Sequence, residues 1–150
     1  MRRALVILFF LSLSCGAAAP RRSADPVEEL MHARSFCMGC EAFVGRIISG
    51  DDAFTAVLKR KTAASDLQRV FEHGTREAKM YALAGLREID RPRFESGFAK
   101  LRTGYGSVTV VLTENPPSIL RRSTGEVLRN IRAGQYRGHV QWIRTGRFSR

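Results

Sequence analysis

The sequence predicts a mainly α fold, built of short antiparallel helical hairpins with a small two-stranded β element. Three observations predict it. Residues 75–90 read as one helix that is apolar on almost every side. Apolar residues recur at helical spacing in the segments around it: Phe54, Val57 and Leu58; Leu67, Val70 and Phe71; Phe94, Phe98 and Leu101. After Arg102 the pattern changes to a β-rich run, residues 107–113, broken by Asn115-Pro116-Pro117.

The segment 75–90 is the natural centre. Ala78, Ala82, Gly85 and Ile89 fall on one stripe, and Met80, Tyr81, Leu83 and Leu86 cover much of the remaining surface. A helix of this kind lies inside its domain. Thr75 is placed to cap its N-terminus, Glu77 stands in the positive first turn, and Arg87 in the last. Asp90-Arg91-Pro92 ends it, because the residue before a proline is pushed out of the helical region. The small residues Ala78, Ala82, Ala84 and Gly85 let neighbouring helices approach closely.

Residues 76–90 resemble the second half of a HEAT-type helical repeat followed by the start of the next. The segment from Gly74 to Leu86, Gly-Thr followed by Lys-x-Tyr-Ala-Leu-x-Gly-Leu, is also similar to one found in small secreted bacterial proteins. That likeness extends over residues 45–136. It implies an exported helical protein and no particular activity. In that group a cysteine often follows the strand after the helices; Thr113-Glu114-Asn115 stands at that place here.

The N-terminus reads as an export signal. Met1-Arg2-Arg3 is a charged leader, and residues 4–13 are an apolar run too short to span a bilayer. Gly16-Ala17-Ala18-Ala19 offers a signal peptidase its small residues, with cleavage after Ala18. A second reading takes Ser12-Leu13-Ser14-Cys15 as a loose lipobox, which would make Cys15 the lipidated N-terminus. The chain thus divides into a signal peptide over 1–18, or a lipoprotein signal ending at Ser14, a linker over 19–26, a single helical domain over 27–136 and a basic C-terminal tail over 137–150. Removing the signal leaves about 130 residues, enough for a modest core. Lysine and arginine number 25 against 14 acids, a net charge of +11 that falls to +9 without Arg2 and Arg3. Such a surface favours anionic partners and says nothing of fold.

Within the mature chain, 27–36 reads as a helix capped by Asp25 with Pro26 at its first position. Cys37-Met38-Gly39-Cys40 follows. A C-x-x-C pair serves as a redox centre, half a zinc site or a local disulfide. A redox centre calls for a preceding strand and a helix that starts at the first cysteine. A zinc site calls for four ligands, and His32, His73 and His139 lack ligand spacing. Export favours oxidation, so a small-loop disulfide is the simplest reading. Residues 43–49 are a strand or an irregular lead into a helix over 49–60, which Lys59-Arg60-Lys61 closes. A further helix spans 64–73 with Gly74 as its C′ residue, and another spans 92–102. Residues 118–122 form a second strand. Ser123 and Glu126 have capping-box spacing and open a helix that Gly134 ends.

From Ser118 onward there are eight arginines and one acid, Glu126. Arg137, Arg144 and Arg147 with Trp142 suit phosphate and base contacts. The simpler reading is a frayed basic terminus with Val140, Trp142 and Ile143 tucked onto the domain.

The sequence holds no nucleophile elbow, zinc-protease, phosphate-loop or dinucleotide motif. It names no catalytic residue, metal ligand, cofactor or small-molecule substrate, and Glu88 and Asp90 read as helix-end charges. The leading expectation is an exported envelope or secreted protein that binds a protein partner without catalysis. The first alternative is a binder of anionic polymer or membrane surface through its arginine-rich end. The second is a thiol–disulfide redox protein using Cys37 and Cys40.

Overall fold

The computed structural model describes residues 25–39, 49–101, 106–112 and 118–147. The export signal with Cys15, the strand-or-lead over 43–48, the turn at 103–105 and Asn115-Pro116-Pro117 lie outside the described residues. The protein is mainly helical, with a small two-stranded antiparallel sheet. Its elements run α1 (Pro26–Met31), α2 (Ser49–Leu58), α3 (Ala63–His73), α4 (Arg76–Ile89), α5 (Arg91–Leu101), β1 (Ser107–Leu112), β2 (Ser118–Ser123), α6 (Thr124–Ala133) and α7 (Arg137–Thr145).

Helix α4 is the hub. Ala78 and the unbroken run from Met80 to Leu86 are buried, and α4 touches α1, α2, α3, α5, α6, α7 and β1. The small residues explain the fit. A Cβ on Gly85 would stand 2.5 Å from Leu67 and 3.1 Å from Phe54, so α3 and α2 pack directly against the bare backbone. Thr75 does more than cap the helix. Its hydroxyl accepts from Ala78 N–H at 3.1 Å and donates to the Ala33 carbonyl, while its N–H donates to the Met31 carbonyl. The α3–α4 turn is thereby tied to the end of α1.

That tie shapes the next segment. The helix expected over 27–36 stops at Met31, and the chain turns at His32 and runs on without helix to Phe36. Phe36 forms a parallel bridge to Val110: its N–H donates to the Thr109 carbonyl at 2.7 Å and its carbonyl accepts from Val111 N–H at 3.2 Å. A buried aromatic beside β1 and two carbonyls taken by Thr75 outweigh another helical turn. On its other side β1 pairs with β2, Val108 opposite Arg122, Val110 opposite Leu120 and Val111 opposite Ile119. The first turn of α4 holds the sheet in place, since the Glu77 carboxylate accepts from Thr109 N–H at 2.9 Å.

Three other details differ from the sequence expectation. Gly74 is not left-handed; its φ of −79° and ψ of 171° are extended backbone. Space, not φ, requires glycine there, because a Cβ would meet the Val70 carbonyl oxygen at 2.6 Å and Ala78 Cβ at 2.8 Å. Between α4 and α5 only Asp90 breaks the helix; its carboxylate accepts from Arg93 N–H and so starts the next one. The segment from Arg137 is not a loose tail. It forms α7, whose buried Val140 and Ile143 pack into the core, and it contacts α4 and α2. The Ser123 cap forms as expected, accepting from Glu126 N–H, and Gly134 ends α6 in the left-handed region with φ 86°. The Glu126 carboxylate pairs with Arg122.

Candidate functional site

The most chemically suggestive residues are gathered beside the N-terminal half of α4. Cys37 is disulfide-bonded and 3% exposed. The other two cysteines, Cys15 and Cys40, lie outside the described residues. The Cys37 backbone is held on both sides by one side chain: its N–H donates to the Tyr81 hydroxyl at 2.9 Å, and that hydroxyl donates to the Cys37 carbonyl at 2.7 Å. Tyr81 is fully buried between the rings of Phe36 and Phe54. Burial pushes its phenol above the ordinary tyrosine value, against the opposing pull of the hydrogen bond with Cys37.

Two residues on, Gly39 adopts φ +78° and donates its N–H to Asp51 Oδ2 at 3.1 Å. Asp51, in the first turn of α2, is only 1% exposed. His139 of α7 brings its Nε2 to 3.4 Å from Asp51 Oδ1, and its ring stacks on Trp142. Four elements thus converge on residues 37–39. Chemically this is a fastened disulfide. The first cysteine does not itself begin a helix, the placement a thioredoxin-like centre calls for; it sits one residue after the Phe36 bridge to β1. Its burial closes the approach that thiol exchange at its sulfur requires. Among the described residues no group of three or more His, Cys, Asp or Glu comes together to hold a metal ion.

The arginine–aromatic group of the C-terminal end does not form one surface. Arg137 and Arg144, seven residues apart on α7, share its exposed face. Arg137 is drawn to Glu88, with Nε 3.4 Å from Oε2, while Arg144 and Arg147 are exposed. Trp142 turns the other way and packs against the core beside His139. The interleaving seen in the sequence is therefore split by the helix into a wet side and a packed side.

A feature that sequence reasoning missed lies on β2. Ile119 and Leu120 are 59% and 41% exposed, the large apolar side chains that stay in water among the described residues. On the face that carries Leu120 and Arg122, a cavity of about 480 Å³ opens between the sheet and α6, floored by Val110 and Val127 and walled by Glu126, Asn130 and Tyr136. Burial raises the Tyr136 phenol, opposed by its hydrogen bond to Asn130. The run Ile-Leu-Arg-Arg was legible as a strand; its position at an open edge depends on pairing partners that are distant in sequence.

No family model, no curated protein and no solved structure matches this chain.

Proposed function

We propose that the chain is an exported protein-interaction module that works without catalysis, a helical scaffold presenting the β1–β2 hairpin to a protein partner. One observation carries the reading: Ile119 and Leu120, consecutive residues on opposite faces of the outer strand β2, are both exposed in an otherwise apolar-inside domain. Surface apolar residues cost little singly, but two of them on a strand with an open edge make a docking feature. The charged leader with its short apolar run and the disulfide at Cys37 both support export to an oxidising compartment. The clamping of Cys37 by Tyr81 supports a stapling role for that disulfide.

Site-specific photo-cross-linking tests the reading. A photoreactive amino acid is placed at Ile119 and, in a second protein, at exposed Lys61 in the α2–α3 turn. Both are irradiated in the producing cell. The expected result is discrete adducts of defined mass from position 119 and none from position 61. Equal labelling at both positions, or none at either, removes the hairpin as the interaction surface.

A further inference from the structure

We infer that β2 takes up an acidic, extended peptide segment as an added strand, with the carboxylate of that segment opposite Arg121. The inference rests on the protein-interaction reading and names its mode and chemistry.

The direction of every backbone group in the hairpin follows from Phe36. Thr109 C=O and Val111 N–H both bond Phe36, and Thr109 N–H bonds Glu77, so these groups point away from β2. Backbone groups alternate sides along a strand, hence those of Val108 and Val110 point toward β2. Their partners in the register, Arg122 and Leu120, face back toward β1. The N–H and C=O of Ile119 and Arg121 are left pointing outward. No described strand lies beyond β2, and no described group bonds these four. The edge therefore offers two donor–acceptor pairs in the spacing that an incoming strand matches.

The side chains select the chemistry. Ile119 and Arg121 point to one face, two residues apart. Among the described residues Arg122 is paired with Glu126, whereas Arg121 has no carboxylate partner and meets only the Ser107 hydroxyl at 3.1 Å. A strand laid along this edge gains most from an apolar residue opposite Ile119 and an acid opposite Arg121. A second copy of this chain fits worse. Antiparallel pairing centred on Leu120 would set Ile119 against Arg121 and join two molecules that each stay strongly positive, +9 after loss of Arg2 and Arg3 from the full +11.

The test uses the full mature protein and fluorescent six-residue peptides with capped ends. One carries valine and glutamate two positions apart, and its mate carries lysine for glutamate. Fluorescence anisotropy at low salt should show the acidic peptide binding at least roughly tenfold tighter, with the preference shrinking as salt rises. Arg121→Glu should reverse the preference, and Arg144→Glu should leave it unchanged. Ile119→Pro removes an outward N–H and spares the ladder to β1, so it should abolish binding. Should that variant unfold, N-methylated peptides replace it: methylation at alternate amides of one parity should abolish binding and at the other parity leave it. Equal binding of acidic and basic peptides, indifference to methylation parity, or dimerisation of the chain through β2 would each overturn strand addition. If cross-links form at Ile119 while the acidic peptide fails to bind, only this inference falls. If both fail, the interaction reading falls with it.

Discussion

One hydroxyl, that of Tyr81, satisfies both backbone groups of Cys37, accepting from its N–H and donating to its carbonyl. The central helix thereby fixes the loop that carries the disulfide, although 44 residues separate the two positions. Tyr81→Phe preserves the ring packing against Phe36 and Phe54 and removes two buried hydrogen bonds to the Cys37 backbone. The expected loss is about 3 kcal/mol, since removing one partner of a buried hydrogen bond costs about 1–3 kcal/mol. Urea unfolding measures it as a lower midpoint with an unchanged slope. A loss under about 0.5 kcal/mol would show that the loop is held by the disulfide alone.

The same residue sets the alkaline limit of stability. Burial raises the Tyr81 phenol in the folded state, and the Tyr136 phenol is raised by the same cause. Above about pH 10 the unfolded chain ionises its tyrosines while the folded protein keeps these two protonated. The unfolded state then binds fewer protons, so stability is complete below that pH and falls as pH rises further, by at most about 1.4 kcal/mol per pH unit for each tyrosine. Tyr81→Phe should flatten the decline relative to the parent. Titration followed by tyrosinate absorbance should show Tyr81 ionising only with unfolding. A parent curve level from pH 10 to 12 would remove the burial argument.

Gly74 separates two accounts of a glycine after a helix. A left-handed C′ residue tolerates asparagine better than alanine. Gly74 is extended, and its constraint is the nearness of the Val70 carbonyl and Ala78. Alanine and asparagine should therefore both destabilise, by about 1–3 kcal/mol, with asparagine no better. Thermal unfolding of both variants checks the order. Rescue by asparagine would mean that backbone conformation governs the site.

How much of this was readable from residues alone follows from the range of the interactions. Helix α4 was legible almost to the residue, because its cap at Thr75, its apolar surface and its stop at Asp90 are local signals. The strands and the Ser123 cap were legible for the same reason. Helix α7 was hidden because only Val140 and Ile143 are buried along it, too short a stripe among arginines and Gly138. The Phe36 bridge was hidden because one residue makes no period. At the candidate site, Cys37 announced itself by spacing. Tyr81, Asp51 and His139, which hold or flank its loop, come from three different helices. The open edge of β2 was invisible because the direction of its amides is fixed by Phe36, more than 80 residues earlier.

The end of α4 supplies the last prediction. Arg87 and Glu88 pair directly and are both largely buried, at 8% and 12% side-chain exposure. Arg87 Nε also donates to the Arg132 carbonyl at 3.1 Å, and Glu88 reaches Arg137 of α7. This pair joins the core helix to both C-terminal helices. Glu88→Ala leaves the Arg87 guanidinium buried without its counter-charge and should cost about 3 kcal/mol. Arg137 is more than half exposed, so its contact with Glu88 is screened by water, and Arg137→Ala should cost less than about 1 kcal/mol. Because both changes break one contact, the double variant should match Glu88→Ala rather than the sum. The Arg137 effect should shrink further in high salt, and the Glu88 effect should not. Equal losses from the two single variants would place the stabilising interaction at the surface, between α4 and α7, and not in the buried pair.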